Sequence, residues 1–357
     1  MKQDKNKVNP KKLIIYYFSG TGNAKNVSNW IANILHNYNY DVELVDIGKI
    51  ENRRKIYLQK DALIGICSPT HGFNFPPIMF HFILRFPKSK NNKLFIVNTR
   101  AGMKMGKYFL PGLSGLAQFL SAIILKFKGF RIVGMHPIDL PSNWISFHPG
   151  IKPTVVQSIY SKRKRETERF AQKLYIGEKD LKALKDIIQD ILISPIAFPY
   201  YIIGRFVLAK SFYASKDCTK CDLCIKKCPV QAIKTIDNRP YWTYKCESCM
   251  QCINICPERA IETAHGFVFG AWFLINSVIL YYIYKAIPIY DFLNSFLSTW
   301  LNRLILFFFN AFLIVGFFIL FYWIFHFLIR FRFFEQIVVY TSLTKWGFWR
   351  RYKAPRI

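Results

Sequence analysis

The sequence predicts an α/β domain built on a doubly wound parallel sheet, then a small cysteine-rich α+β domain, then two transmembrane helices. Three observations support this prediction. Short β-rich runs alternate with helical stretches over residues 11–138, eight of the nine cysteines fall within 218–256, and two long apolar runs follow. The alternation is typical of a parallel sheet covered by helices on both faces.

The first predicted domain, residues 1–150, contains five strands. Between the first two strands, residues 24–37 place apolar side chains near one face of a helix. Residues 151–210 form a connector with two polar helices, broken near Gly177, and an apolar segment at 195–207. Because that segment contains two prolines and an arginine, it is a poor spanning helix and is expected either at a membrane interface or as a cover over a domain. The predicted strands are residues 13–18, 42–46, 62–67, 94–98 and 131–137.

Composition narrows the class of protein. The 357 residues carry 50 Lys and Arg against 21 Asp and Glu, a formal charge of +29, while 52% are apolar and 17% aromatic. A chain this apolar can form a core, which argues against intrinsic disorder, and its aromatic content suggests contact with lipid. The first apolar run is too short for a signal peptide, so the N-terminus is expected in the cytoplasm. In that reducing compartment, crowded cysteines indicate metal ligands.

Eight cysteines in the third predicted domain, residues 211–264, form two units with identical spacing, 28 residues apart. Each unit reads Cys-x2-Cys-x2-Cys-x3-Cys-Pro. The first three thiolates of such a unit bind one cubane, while the fourth ligates the other cluster. Structural zinc is the alternative, but zinc sites usually take two cysteines per knuckle. The spacing predicts one [4Fe-4S] cluster held by Cys218, Cys221, Cys224 and Cys256, and a second held by Cys246, Cys249, Cys252 and Cys228.

A turn rich in glycine and hydroxyl groups joins the first predicted strand to the first helix. Hydroxyls, flexible backbone and free amides at a helix N-terminus together form a cradle for a phosphate dianion. An ordinary turn capped by Ser or Thr is the alternative. A dinucleotide-binding loop would need a third glycine where Lys25 stands, and a Walker loop would need Gly-Lys-Ser/Thr. The turn consists of Ser19, Gly20, Thr21, Gly22, Asn23 and Ala24.

Residues 265–357 are predicted to form a transmembrane hairpin and a basic tail. The runs 266–284 and 304–329 contain 19 and 26 residues without Lys, Arg, Asp or Glu, and about 20 helical residues cross a hydrocarbon core of about 30 Å. A buried helical hairpin in a soluble protein is the alternative. Because Lys and Arg are concentrated before the first run and after the second, both ends are expected on the cytoplasmic side of the cytoplasmic membrane. The basic residues of the tail are Arg330, Arg332, Lys345, Arg350, Arg351, Lys353 and Arg356.

The cysteine units resemble those of the bacterial two-cluster ferredoxins. The likeness includes the Ala-Ile pair that follows each unit, at 232–233 and at 260–261. The chain departs from that family at four positions between the ligands, where ferredoxins frequently have glycine. These positions are Lys220, Asp222, Ser248 and Met250.

The turn at residues 19–24 resembles the FMN-phosphate loop of flavodoxins, with Ala24 at a position that is commonly threonine. The five-strand alternation behind it is similar to the flavodoxin fold. The stretch Pro141-Ser142-Asn143-Trp144 resembles one in flavodoxin-ferredoxin fusion proteins, which join a flavodoxin-like FMN domain to a two-cluster ferredoxin domain. The likeness to these fusion proteins extends over residues 12–262 and does not include the predicted hairpin.

The flavodoxin resemblance implies bound FMN, with its isoalloxazine ring between the loops that follow the third and fourth strands. Phe73 or Phe75 is then a candidate for stacking on the ring, His71 for a hydrogen bond to it, and Arg100 for opposing charge on reduced flavin. For each of these side chains a structural or solvated role is the alternative. Cys67 is interpreted as a buried packing thiol. The implied flavin contacts are Pro69, Thr70, His71, Gly72, Phe73, Thr99, Arg100, Ala101 and Gly102.

The sequence favours electron relay between two [4Fe-4S] clusters and FMN at a lipid bilayer, with no catalytic residue assigned and enzymatic activity left open. Redox partner proteins are expected, since the basic charge would attract an acidic donor such as a reduced ferredoxin. The alternative is a flavin-dependent membrane reductase of a small or quinone-like substrate, for which His71 is the proton donor that the sequence suggests. The sequence has no helix-turn-helix or RNA-binding signature, so nucleic acid is not an expected partner.

Overall fold

The computed structural model describes residues 11–50, 56–289 and 298–349, and its described part divides into two compact units. We call the first the sheet unit; it contains the residues up to Asn143 and the stretch Ile151–Ala197. We call the second the cysteine unit; it contains Trp144–Gly150 and the described residues from Phe198 onward.

Within its described residues, the sheet unit has five parallel strands in the spatial order β2-β1-β3-β4-β6. The order reverses between β1 and β3, as in the doubly wound sheets of flavodoxin type. The predicted parallel sheet is confirmed. A short antiparallel strand that the sequence did not predict, β5, pairs with the far end of β4. The strands are β1 (Lys11–Tyr17), β2 (Tyr40–Asp46), β3 (Leu63–Pro69), β4 (Lys93–Met105), β5 (Tyr108–Leu110) and β6 (Arg131–Pro141).

Four helices of the sheet unit are amphipathic, and their apolar faces complete its core. The first of them buries Val27, Ile31 and Leu35, which lie one turn apart along one face, as the periodicity predicts. The fourth ends at Gly177, whose φ of 79° is left-handed, so the predicted break is confirmed. The helices are α1 (Asn23–Asn37), α2 (Pro77–Arg85), α3 (Leu116–Phe127) and α4 (Pro153–Ile176).

Strand β4 is longer than the sequence predicts. The predicted strand ends at residue 98, but β4 continues to Met105, because β6 pairs with it as far as Gly102 and β5 pairs with its last three residues. A Cβ atom on Gly102 would lie 2.8 Å from the Cβ of Asp139 on β6, so the glycine permits this close pairing. The prediction that residues 99–102 form a loop is therefore wrong.

A buried network of ion pairs joins β4 and β6 to α4 and to the segment that contains Asp186. Arg100 Nε lies 2.6 Å from Asp139 Oδ1, and Arg100 Nη1 lies 2.7 Å from Asp186 Oδ2. Arg163 on α4 lies 3.0 Å from the other oxygen of Asp139 and 2.6 Å from Glu166. Each buried charge in this network thus has a partner of opposite charge, which offsets the cost of removing it from water.

The apolar segment of the predicted connector is part of a longer helical run, Lys182–Ala209, of 28 residues. Pro195 lies in the first turn of a 3₁₀ segment, Ser194–Ile196, a position at which proline is tolerated. The sequence prediction treated the prolines as too disruptive for a spanning helix, whereas the observed run has the length and composition of one. Its α-helical parts are α5 (Ile187–Ile193), α6 (Ala197–Pro199) and α7 (Arg205–Ala209).

The cysteine unit begins with a small α+β fold of two antiparallel strand pairs, β7 with β10 and β8 with β9. Its core contains Phe212, Trp242, Ile253 and Ile261, all buried. The elements are β7 (Phe212–Ala214), α8 (Leu223–Lys226), β8 (Ile233–Ile236), β9 (Arg239–Trp242), α9 (Gln251–Ile255) and β10 (Ile261–Thr263).

Long apolar helices follow. In the described part of the chain, three helical runs are long and apolar enough to cross a membrane: Lys182–Ala209, His265–Ala286 and Thr299–Leu328. The last two coincide with the two predicted spans, except that the final helix ends at Leu328, one residue before the predicted end. Tyr284 Oη donates a hydrogen bond of 2.7 Å to Asn310 Oδ1 and so joins these two helices. The elements are α10 (His265–Leu274), α11 (Leu280–Ala286), α12 (Thr299–Leu328) and α13 (Arg332–Tyr340).

The segment after the last long helix packs on the cysteine fold. Ile329 is buried in the same cluster as Trp242, and Val338 and Val339 on α13 pack against that cluster. Glu335 on α13 accepts a 2.5 Å hydrogen bond from the backbone N–H of Lys216. The described part of the predicted basic tail therefore completes the core of the cysteine unit. Arg350, Arg351, Lys353 and Arg356 lie outside the described residues.

We expect acid to destabilise the sheet unit through Glu166 and Asp180. Burial alone would raise the pKa of Glu166, but hydrogen bonds with His136, Lys182 and Arg163 outweigh it and hold this pKa well below 4.5. The hydrogen bond with His136 lowers the pKa of Asp180 from 3.8 to about 2. Both carboxylates stabilise the fold above their unfolded pKa values, and this contribution is lost as the pH falls from about 5 towards 2.

The thermal midpoint of the detergent-solubilised chain measures this effect. Glu166→Gln should cost about 2 kcal/mol at pH 7, because hydrogen bonds to a charged group are lost, and the difference from wild type should shrink by pH 3. Glu168→Gln on the same helix is the control, since Glu168 lies 4.0 Å from Lys164 in an exposed pair. Equal acid sensitivity of wild type and Glu166→Gln would contradict the prediction.

Candidate functional site

Cysteines from both repeated units meet at one cavity of the cysteine unit. Cys218, Cys221, Cys224 and Cys256 all line it. Burial raises the pKa of the Cys224 thiol to about 11, and the charges of Cys218, Cys256 and Cys221 add to the effect. The structure thus brings together the four thiols that the sequence assigns to the first cluster.

The other four cysteines lie close together as well. Cys246 and Cys252 are buried, while Cys228 and Cys249 are partly exposed. Burial raises the pKa values of the Cys246, Cys249 and Cys252 thiols, and in each case the charge of Cys228 raises the value further. Because metal binding needs thiolates, loading of either set must release protons.

The donor atoms in both sets are thiol sulfurs. Four thiolates around one zinc ion lie within about 4 Å of one another, because each Zn–S bond is about 2.3 Å long. In the part of the chain that the structure describes, no three His, Cys, Asp or Glu side chains are close enough to hold one metal ion. A donor set of four thiols is the one that [4Fe-4S] clusters take.

The duplication of the cysteine units extends to the backbone. Three pairs of residues related by the 28-residue offset have positive φ angles, so both units follow the same path. Four of these residues stand where ferredoxins frequently have glycine, which adopts this conformation without strain. For a residue with a Cβ atom, this left-handed conformation costs roughly 1–2 kcal/mol. The pairs are Lys220 (58°) with Ser248 (51°), Asp222 (56°) with Met250 (62°), and Gln231 (48°) with Arg259 (51°).

The fourth cysteine of each unit accepts a hydrogen bond from a backbone amide. The N–H of Ala232 lies 3.2 Å from Cys228 Sγ, and that of Ala260 lies 3.3 Å from Cys256 Sγ. Amide bonds to ligand sulfur stabilise the thiolate form and tune a bound cluster. The Ala-Ile pairs after each unit therefore supply equivalent donors to both sites.

In the sheet unit, the turn between β1 and α1 has the features of a phosphate cradle. Ser19 Oγ accepts a 3.0 Å hydrogen bond from the N–H of Gly22, whose φ of 99° is left-handed. No side chain caps α1, which begins at Asn23. The first amides of this 15-residue helix have no intrahelical acceptors and are available to an anion. These residues fit a phosphate dianion.

The end of β6 supports this turn. Asn143 Nδ2 donates a 2.5 Å hydrogen bond to Thr21 Oγ1, and Asn23 Nδ2 donates a 2.9 Å bond to the carbonyl of Pro141. Tyr160 on α4 donates its hydroxyl to Asn23 Oδ1. The sequence singled out residues 141–144 only by resemblance and assigned no contact to Asn143, because the two partners are 122 residues apart.

The loop after β3 is held by β4. The N–H of Thr70 donates a 2.8 Å hydrogen bond to the carbonyl of Thr99, and Thr70 Oγ1 accepts another of 2.8 Å from Asn98 Nδ2. His71 and Asn74 exchange two backbone bonds of 2.8 and 3.2 Å. Thr99 thus supports the predicted flavin loop from within a strand.

The two phenylalanines of this loop differ. Phe75 is fully buried and belongs to the core, so its predicted stacking on flavin is not supported. Phe73 is partly exposed and has a φ of 66°, a strained conformation for an aromatic residue. Its carbonyl accepts a 2.8 Å hydrogen bond from Leu116, and a Cβ at Gly115 would collide with that carbonyl. Phe73 remains the aromatic candidate for ring stacking.

The surroundings of Arg100 and of Cys67 indicate a structural role for each side chain. The guanidinium of Arg100 is buried against Asp139, Asp186 and Ser114, an arrangement that favours a structural role over contact with a reduced flavin. Burial raises the pKa of the Cys67 thiol to about 12, and its Sγ lies 3.3 Å from the carbonyl of Ala24. Both the burial and the pKa agree with the packing role predicted for Cys67.

Comparison with known proteins adds to this geometry. Residues 217–261 match the family of 4Fe-4S dicluster domains. The chain is similar to a flavodoxin from the domain Archaea (18% identity over 45% of this chain and 97% of that one, TM-score 0.29). It is also similar to the two-electron reduced flavodoxin of Megasphaera elsdenii (18% identity, 45% and 98%, TM-score 0.28). A third similar structure is the rubredoxin oxygen:oxidoreductase of Desulfovibrio gigas (13% identity, 46% and 37%, TM-score 0.30).

No curated protein matches the chain. We base the flavodoxin-like fold of the sheet unit on its own strand order, β2-β1-β3-β4-β6. The chain thus combines a flavodoxin-like sheet with a 4Fe-4S dicluster domain, and this combination supports an electron-transfer role.

We expect Lys220→Gly to stabilise the cysteine unit relative to Lys220→Ala by about 1 kcal/mol, because only glycine relieves the strain of the positive φ. Both variants remove the charged side chain, so their difference isolates the backbone. Lys226→Gly is the opposite control, since glycine in helix α8 costs up to about 1 kcal/mol. The thermal midpoint for loss of cluster absorbance measures all three, and a Lys220→Gly midpoint at or below that of Lys220→Ala would refute this account.

Pairs of cysteine variants test which thiols share a site. Cys221→Ser with Cys256→Ser should remove one cluster and leave about four irons, because both residues belong to the first set. Cys221→Ser with Cys228→Ser should remove both clusters. Iron analysis of anaerobically purified protein measures the difference, and Cys67→Ser should keep the wild-type iron content. The reverse ranking of the two double variants would rule out the assigned exchange of the fourth cysteine.

Proposed function

We propose that the protein is a membrane-anchored electron carrier that relays single electrons between two [4Fe-4S] clusters and FMN. The observation that carries this proposal is that one chain holds two sets of four thiols, in a matched dicluster domain, and an uncapped helix N-terminus in a flavodoxin-like sheet. Clusters supply one-electron chemistry when bound, and FMN can join it to two-electron chemistry. The residues of the chain bind, bury and orient these groups.

Exposure suggests where electrons enter. Cys221 of the first set is exposed, whereas Cys246 and Cys252 of the second are buried. A partner protein can therefore approach the first site more closely than the second. The surface near the first set carries exposed lysines, which would attract an acidic redox partner. These lysines are Lys216, Lys220, Lys226 and Lys227.

The long helices support attachment to a membrane. His265–Ala286 and Thr299–Leu328 have the length and composition of spanning helices. The run Lys182–Ala209 differs, because its first turns are tied to the sheet unit: Asp186 pairs with Arg100, and Asp190 accepts hydrogen bonds from the N–H groups of residues 114 and 115. We infer that this run lies at the interface, that the other two span, and that both ends of the chain face the cytoplasm.

Cofactor content and electron delivery test the proposal. Protein purified anaerobically in mild detergent should contain about eight irons and one FMN per chain. A low-potential one-electron donor protein should reduce the flavin quickly in wild type, and slowly in the Cys221→Ser/Cys228→Ser variant, which keeps the FMN site. Stopped-flow absorbance measures both rates.

A colourless, zinc-loaded product would reject the relay, as would equal rates of flavin reduction with and without the cysteines. Rapid oxidation of the reduced flavin by a quinone, without any partner protein, would favour a membrane reductase instead.

A further inference from the structure

A lysine lies fully inside the core of the cysteine unit. Lys210 follows helix α7 directly and is only 2% exposed. Lysine is almost never buried to this degree unless it is paired with an opposite charge. Among the residues that the structure describes, its ammonium group bonds a backbone carbonyl and forms no ion pair with a carboxylate. The charge of Lys210 is therefore not neutralised by an acidic side chain.

Aromatic rings and a carbonyl surround the ammonium group instead. Lys210 Nζ donates a hydrogen bond to the carbonyl of Trp242 and lies 4.8 Å from the ring centre of Tyr241. It lies 4.4 Å from the ring centre of Tyr322, which belongs to α12. Ring faces favour a cation, and more strongly where water is excluded. This cage stabilises the charged lysine without cancelling its charge.

The group whose charge acts on Lys210 is Cys246 in its thiolate form, a candidate ligand of the second site. Burial lowers the pKa of Lys210 to about 8, and the thiolate of Cys246 opposes that shift. The two side chains are linked through the backbone, since Cys246 donates its N–H to Thr243, the residue after the carbonyl that Lys210 binds. Lys210 does not line the cavity of the first cysteine set.

Two effects compete at the second site. Burial makes the addition of negative charge harder, because a charged group is stabilised less in a low dielectric than in water. Since Cys246 and Cys252 are buried and Cys221 is exposed, burial alone would make the second cluster harder to reduce than the first. A fixed positive charge beside the second site acts in the opposite sense, and the same low dielectric strengthens it.

We propose that Lys210 raises the reduction potential of the second cluster, so that an electron entering at the exposed first site moves on to the second. This inference rests on the proposed two-cluster function. Lys210 is not one of the eight predicted cysteine ligands, so its role is the electrostatic effect of its charge beside Cys246. The helix α12 contributes to this arrangement, because the aromatic ring of Tyr322 lies against the ammonium group of Lys210.

A redox titration of the full detergent-solubilised chain, followed by electron paramagnetic resonance, tests the proposal. Lys210→Met should lower the midpoint potential of the second cluster by at least 59 mV, which corresponds to a tenfold change in its one-electron equilibrium constant. The first cluster should shift much less. Lys210→Arg keeps the charge and should keep the wild-type midpoint. Each variant is also made with Cys221→Ser, which perturbs the first cluster and so identifies the signal of the second.

Lys245→Met is the matched control. Lys245 precedes Cys246 in the sequence but is exposed, so water screens its charge, and its loss should shift the same midpoint far less. Lys210→Gln is a second neutral variant that still offers a donor to the carbonyl of Trp242, and it provides the measurement if Lys210→Met loses iron.

The outcomes separate the two proposals. A neutral variant with full iron content and a midpoint shift no larger than that of Lys245→Met would overturn the role of Lys210 and leave the relay intact. A wild-type chain that holds fewer than two clusters would overturn the proposed function itself.

Discussion

The convergence of four thiols from two repeated units is the constraint on which the cysteine unit depends. Cys256 belongs to the second unit, yet it lines the cavity of Cys218, Cys221 and Cys224. Neither unit can complete a site without the other, so the two must fold together. This requirement explains why the backbone repeats so closely, with positive φ angles at equivalent positions despite the strain of side chains such as that of Lys220.

The buried thiols Cys246 and Cys252 belong to an apolar core whose side chains come from distant parts of the chain. Trp242 lies at the centre of the core, and Tyr322 and Ile329 reach it from the end of the long apolar segment. The backbone N–H of Trp242 donates a 3.2 Å hydrogen bond to the hydroxyl of Tyr322. The helix α12 is therefore part of the core of the cysteine unit, and its removal would expose apolar surface beside the second cysteine set.

Patterns among neighbouring residues predicted most of the fold. The wrong predictions concern residues whose partners are distant in the sequence. The strand alternation, the break at Gly177 and the cysteine repeat all depend on nearby residues, so the sequence displays them directly. The strand from residue 99 to 102 exists because β6 pairs with it, and no local signal marks that pairing. Arg100 resembled a loop cation for the same reason, because its partners Asp139 and Asp186 lie 39 and 86 residues away.

Lys210 shows why the sequence can predict the ligands of a candidate site and still miss a charge that acts on it. The cysteine spacing identified the eight thiols because cluster binding imposes a regular motif. A charge that acts through space needs no spacing, and the cage of Lys210 draws on residues 31 and 112 positions away. In a buried site such a charge is felt strongly, whereas the many exposed lysines of this basic chain are screened by water and salt. Burial, rather than the net charge of +29, therefore decides which cations act on the second site.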